Sequence, residues 1–356
     1  MAGHKRIGVL TFHRCINYGS YWQARALVEG LRELGHHAEL LDHRDGQVTW
    51  AEWRCAFQPA LPERTPRTDF PSYAAKARKF LQAFQALPES PPFDLDEPAK
   101  LERYDAIVVG SDEVWNLSHP WYGGKPLFYG SGLPADRIVS YAASFGNYSC
   151  HWGIDQGYAE QLKRFDQLSV RDENSYWLVR GCTGREPAMV LDPVLQWPEV
   201  SAMPDQPARE PYILLYGHNF PDWYLRKVRA AADAHGLRLI SIGYRNPLAD
   251  EQLLSAGPLE FAAAVAGASA VATNFFHGCV FALRHGKPFA AVSTPYRHNK
   301  LRDLVATVGA EDRLILEEPA NGLLSDLLAE PLAPTIGGRI RELRAASDAY
   351  LDAALA

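Results

Sequence analysis

The chain has 356 residues, 47% hydrophobic, 22% charged and 11% aromatic, which excludes a disordered or fibrous chain and gives room for two domains of about 150–200 residues each. A formal net charge of −6 and an isoelectric point near 6.1 leave no basic field, so nucleic acid is excluded as a partner. No apolar run approaches the roughly 20 residues that span a bilayer and the start lacks the apolar core of a signal peptide, so a cytoplasmic location is expected, with peripheral membrane contact left open.

Residues 6–12 are a short β-prone apolar run, predicted as a buried parallel strand. The polar turn Asn17-Tyr18-Gly19-Ser20 leads into a helix from Ser20 to Leu34, which stops at Gly35. Ala38–Leu41 is the next strand, and strand–helix–strand opens a parallel α/β sheet with a right-handed crossover. From Phe57 to Pro98 prolines surround one helix-like island, Tyr73–Leu87, which reads as an excursion outside the sheet. Strands then return at Ala106–Val109 before Gly110-Ser111-Asp112, and at Arg137–Ala142 before Ala143-Ser144-Phe145-Gly146. A helix at Tyr158–Phe165 precedes the strand Leu168–Val170 with Arg171 behind it, and Ala188–Leu191 runs into Asp192-Pro193.

A polar, proline-containing stretch from Pro198 to Pro211 marks the expected boundary. Beyond it come the strand Tyr212–Tyr216, a helix Trp223–His235, the strand Leu237–Ile242, an alanine-rich helix Pro258–Ala266 and the strand Ala270–Ala272. The expected organisation is a Rossmann-like domain at 1–197 carrying the excursion at 57–98 and a second at 198–335. A C-terminal helix at 336–356 packs on the body through the stripe Ile340, Leu343, Ala346 and Tyr350.

Ligands of open parallel sheets sit beyond the carboxyl ends of the strands. The residues there are His13, Asn17 and Tyr18; Ser111, Asp112 and Glu113; Ser144; Arg171 and Asp172; Asn274 and His277. Turn and cap residues share these types, and only the joint placement favours a site. The first turn lacks the glycines of a dinucleotide site, Gly286-Lys287 is followed by Pro288 rather than a P-loop ending, and no Gly-x-Ser-x-Gly elbow occurs. Five scattered cysteines without a Cys-x-x-Cys pair read as reduced thiols, and Cys150-His151 has no second pair to make a zinc site.

His277, followed by Gly278 and an apolar helix Cys279–Leu283, sets an imidazole at a helix N-terminus, which suits a phosphate or carboxylate. Arg171 offers a planar fork for an anion, or pairs with Asp172 or Glu173. The cationic loop Arg297-His298-Asn299-Lys300-Leu301-Arg302 closes over an anion or starts a solvated helix. Trp115, Trp121, Tyr122 and Tyr129 either stack on sugar rings or pack locally.

From about Ile7 to Arg313 the ordered segments resemble the polysaccharide pyruvyl transferase family. They are Ile7-Gly8-Val9-Leu10-Thr11-Phe12-His13 with Ile16-Asn17-Tyr18-Gly19, Gly110-Ser111-Asp112-Glu113-Val114-Trp115-Asn116, Ser140-Tyr141-Ala142-Ala143-Ser144-Phe145-Gly146, Ser169-Val170-Arg171-Asp172, Leu191-Asp192-Pro193 and Thr273-Asn274-Phe275-Phe276-His277-Gly278. The resemblance implies a fold like that of GT-B glycosyltransferases, two Rossmann-like domains with an active site in the cleft between them. It further implies phosphoenolpyruvate as donor, a saccharide or glycoconjugate as acceptor, a pyruvyl ketal as product, and no metal or organic cofactor.

On that reading His277 is the candidate acid or phosphate ligand and Asp112 the candidate base or sugar-hydroxyl acceptor. Arg171, Asn274, His277, Gly278, Arg297 and Lys300 face the donor. His13, Asn17, Tyr18, Ser111, Trp115 and Ser144 face the acceptor. Many family members carry an arginine two residues before the histidine, where this chain has Phe275, a change shared with other members that carry the Gly-Ser-Asp-x-Val-Trp-Asn segment. Arg297, Lys300 or Arg302 would compensate. A nucleotide-sugar glycosyltransferase and a non-catalytic glycan- or anion-binding relative are the alternatives.

Overall fold

The computed structural model describes residues 4–201, 210–320 and 322–356. Most of the expected boundary stretch, residues 202–209, lies outside the described residues. The chain divides into two compact α/β units. One holds Met1–Glu52, Phe84–Val200 and Arg341–Ala356; the other holds Trp53–Ala83 and Ser201–Ile340.

The first unit is built on a parallel sheet in the order His37–Leu40, Arg6–Leu10, Tyr104–Val109, Ala135–Ser140. Its strands read as continuous apolar runs because both faces are covered, and Ile7, Val9, Ile107 and Val139 are fully buried. The short parallel pair Ser169–Val170 and Ala188–Met189 extends it through the bridge Val139↔Gln167. The fourth strand ends at Ser140, short of the expected Ala142, because Ala142 turns out of the sheet at φ +52.

The helix Tyr18–Glu33 starts where Asn17 Oδ1 accepts the N–H groups of Gly19 and Ser20 at 2.8 and 3.2 Å. The helix Pro334–Leu355 braces this unit with its second half. Ser347 Oγ accepts from Leu191 N at 3.0 Å, and Tyr350 OH donates to Ser140 O at 2.6 Å.

The second unit has a six-stranded parallel sheet in the order Glu251–Leu253, Arg238–Ile242, Tyr212–Tyr216, Ala270–Thr273, Phe289–Val292, Leu314–Ile315. Taken in sequence order this is 3-2-1-4-5-6, the doubly wound order whose direction reverses between its first and fourth strands.

The excursion is corrected in one respect: residues 53–83 group with this second unit and not with the N-terminal sheet. Arg245 donates to both carboxylate oxygens of Asp69 at 2.6 Å, Lys76 Nζ donates to Gly243 O at 3.5 Å, and Lys79 pairs with Glu260. No helix among the described residues is long and apolar enough to cross a membrane.

Candidate functional site

In the first unit the sheet changes direction between Arg6–Leu10 and Tyr104–Val109, and Gly110-Ser111-Asp112 leaves the second of these strands. Gly110 is required because its φ is +119 and a Cβ there would lie 2.2 Å from Tyr141 O. Asp112 takes φ +73, a left-handed position that aspartate tolerates better than most residues. Its Oδ2 accepts from Ser20 Oγ at 2.8 Å, and its Oδ1 accepts from Glu113 N at 2.9 Å and Arg171 Nη2 at 3.3 Å.

Arg171 is buried, and its Nη1 donates to Asp192 Oδ2 at 2.8 Å. Burial opposes the guanidinium charge, but the carboxylates of Asp192 and Asp112 outweigh it and hold its pKa above the ordinary value. The open anion fork expected at Arg171 is therefore corrected. Both terminal nitrogens donate to carboxylates, those of Asp192 and Asp112. Asp172 and Asp192 also cap helices, accepting from Ser175 N and Val194 N at 2.8 and 3.0 Å.

The expected acceptor residues separate sharply by exposure. Asn17 is exposed, with its side chain committed to the helix cap, whereas His13, Tyr18, Ser111, Trp115 and Ser144 are buried. The sugar-stacking role of Trp115 is corrected, because its ring sits in the core and Nε1 donates to Phe128 O at 2.8 Å. Tyr122 and Tyr129 pack in the same core.

His13 is fully buried, its Nε2 3.3 Å from Asp42 Oδ1, so it lines no open surface. Although burial alone would raise it, hydrogen bonds from His13, Arg44 and Arg14 hold the Asp42 carboxyl well below the usual range. Ser111 Oγ donates to Gln23 Oε1 at 2.6 Å, and Ser144 Oγ accepts from Gly146 N at 2.9 Å.

In the second unit the direction change falls between Tyr212–Tyr216 and Ala270–Thr273, so Gly217-His218-Asn219 and Asn274-Phe275-Phe276-His277-Gly278 emerge side by side. The helix Phe276–Arg284 begins one turn earlier than the sequence suggested, which puts His277 in its first turn, largely buried at 9% exposure. Gly278 allows the close approach of this turn to the sheet, since a Cβ there would meet Thr273 Oγ1 at 2.2 Å. Thr273 Oγ1 in turn donates to Tyr216 O at 2.7 Å and accepts from Phe275 N at 3.0 Å. Asn274 is fully buried, and its Nδ2 donates to His218 O at 2.7 Å.

The cationic segment resolves into three different fates. Arg297 immediately precedes the helix His298–Val308 and lays its guanidinium over Phe275, with Cζ 4.3 Å from the ring centroid. Lys300 is inside the helix, mostly buried, with Nζ 5.6 Å from the Tyr296 ring. Arg302 pairs with Asp303 at 2.7 Å. Of the three expected to compensate for Phe275, Arg297 is the one against it.

Sequence reasoning missed His218 and Tyr244, although both follow strands and the strand-end rule would have found them. It also missed Lys76, which burial lowers to about 7, and Glu52, which burial raises to about 7 against hydrogen bonds from Cys15 and the Ile16 N–H. Among the described residues no group of three or more His, Cys, Asp or Glu is placed to hold a metal ion.

No curated protein matches the sequence. Solved structures with a similar course of the chain include S. aureus MnaA with UDP, at 12% identity over 91% of this chain and 86% of that one, with a TM-score of 0.49. The UDP-GlcNAc 2-epimerase from Neisseria meningitidis bound to UDP-GlcNAc is 12% identical over 96% and 98%, TM-score 0.49. The Streptomyces sp. SF2575 glycosyltransferase SsfS6 with thymidine diphosphate is 16% identical over 97% and 96%, TM-score 0.44. The model of the family described as polysaccharide pyruvyl transferase matches residues 17–295, most of the sequence including every strand-end turn described above from Asn17 to Gly278, and the chain belongs to that family.

Proposed function

We propose that the chain transfers the pyruvyl group of phosphoenolpyruvate to a saccharide or sugar-bearing acceptor, forming a pyruvyl ketal. The donor methylene takes up a proton and becomes a methyl group, while two acceptor hydroxyl oxygens bond to the donor's central carbon and inorganic phosphate leaves. Of the two hydroxyl protons, one balances the methyl group and the other leaves with phosphate or solvent. The reaction therefore needs an acid, a base and cations for a small, highly charged donor.

The observation that carries this reading is the anion-suited sheet end of the second unit, in a member of this family. His277 stands in the first turn of a nine-residue helix, where backbone N–H groups and the helix dipole favour a phosphate or carboxylate. Arg297 lies over Phe275 in the turn just before it. In this reading His277 is the acid or phosphate ligand, with Asn274 and Gly278 shaping its turn and Arg297 the donor's cation.

Asp112 is the base or hydroxyl acceptor of the first unit. Arg171 acts through Asp112, which it holds together with Asp192.

The test is to incubate the protein with phosphoenolpyruvate and a panel of saccharides, nucleotide sugars and lipid-linked sugars, following phosphate release and product mass. Phosphate and ketal should appear in equal amounts, and His277→Ala and Asp112→Ala should each lower kcat by about 100-fold or more. Phosphate release that survives both substitutions would sink the residue assignment. Failure of phosphoenolpyruvate to bind at all would sink the donor.

A further inference from the structure

The turn after the strand Tyr212–Tyr216 is shaped to hold one side chain. Gly217 at φ +149 and Asn219 at φ +54 bend the chain away from the sheet on either side of His218. Gly217 has no side chain to displace Asn274, whose Oδ1 would lie 2.2 Å from a Cβ there, and Asn274 Nδ2 fixes the His218 carbonyl at 2.7 Å.

The His218 ring then meets Tyr244 at 4.9 Å and Phe275 at 5.3 Å between centroids, and those two rings meet each other at 5.3 Å. All three are half-buried. Arg297 reaches this cluster from the next strand end but one, with its guanidinium on Phe275 and its Nη2 3.4 Å from His218 Nε2.

The chemistry of that last contact is one-directional. A guanidinium only donates, so Nε2 must present its lone pair and the ring proton sits on Nδ1. Burial and the neighbouring Arg297 charge lower His218 to about 4, so the ring is neutral from mildly acidic pH upward. A neutral imidazole on one side and an aromatic face beneath restrict the rotation of the Arg297 side chain. Ordering such a side chain before the ligand arrives removes part of the entropy lost on binding.

We propose that His218 is a positioning residue which, with Phe275, orients the Arg297 guanidinium toward the planar carboxylate or the phosphate of the bound donor. This rests on the donor reading above and adds to it a residue outside the expected donor set. Phe275 then acts as the seat of a cation supplied from residue 297.

Binding of phosphoenolpyruvate and, separately, of inorganic phosphate is measured by calorimetry for the wild type, His218→Leu, His218→Gln, Arg297→Ala and the double variant His218→Leu/Arg297→Ala. Leucine at 218 should weaken phosphoenolpyruvate binding about five- to tenfold, the net loss expected for one ordinary hydrogen bond. Glutamine keeps an acceptor and should recover most of that loss, and leucine should add nothing once Arg297 is gone.

Equal losses from leucine with and without Arg297, or glutamine as weak as leucine, would overturn the positioning role while leaving the donor intact. If neither phosphoenolpyruvate nor phosphate binds the wild type, the donor reading falls and this inference with it.

Discussion

The two sheets end in polar turns of the same residue types, but the charges in those turns have different partners. In the first unit Arg171 lies between the carboxylates of Asp192 and Asp112, while Arg14 and Arg44 surround Asp42. In the second, Arg297 lies on an aromatic ring and against a neutral imidazole. A buried cation flanked by carboxylates holds the fold and shapes what is next to it. Position after a strand is thus a poor guide by itself, because the same residue types meet different partners there.

Removing the cation tests each unit in turn. Arg171→Leu leaves two buried carboxyl groups facing a void and should lower stability by about 3–5 kcal/mol, read by urea unfolding. A loss under about 1 kcal/mol would mean the triad is not what holds this region.

Glu52 offers a pH test within the first unit. Its pKa is raised in the fold to about 7 from an ordinary value of 4.5, so the native state holds the proton more tightly than the unfolded chain. Its contribution is fully present below about 4.5 and is lost as pH rises through about 7. Glu52→Gln should therefore gain about 3 kcal/mol relative to the wild type between those limits, with a constant difference above them. Thermal unfolding across that range checks this, and a difference that does not change with pH would refute it.

Asn17 distinguishes a cap from a ligand contact. Asn17→Ala should cost about 1 kcal/mol of stability, the usual loss for an N-cap, with acceptor KM unchanged. A large KM effect would return Asn17 to the acceptor site. The smallest stability effect is expected at Arg297, where alanine should change unfolding free energy by no more than about 0.5 kcal/mol while weakening anion binding about tenfold. If instead Arg297→Ala unfolds the protein, the contrast between the two units collapses.

Much of the strand pattern was legible, because fully buried parallel strands are short unbroken apolar runs. Tyr212–Tyr216 falls on the residues the sequence marks. The allegiance of residues 53–83 was not legible. It depends on contacts such as Asp69 with Arg245, 176 positions apart, and no local pattern encodes such a pairing. Trp115 misled for a related reason, since an aromatic residue in a polar loop looks the same whether its ring faces sugar or core. Phe275 gained its sense only with Arg297 beside it in space. His218 was within reach of the same strand-end rule that picked Asn274.

The division of the chain into segments bears on how this protein can be recombined. Trp53–Ala83 belongs with Ser201–Ile340, and Arg341–Ala356 belongs with the opening residues. A chimera that imports residues 201–340 from a relative, keeping 53–83 from this chain, would oppose Asp69 and Lys76 to a foreign loop in place of Gly243-Tyr244-Arg245. The exchangeable module is a pair of discontinuous segments, Trp53–Ala83 together with Ser201–Ile340.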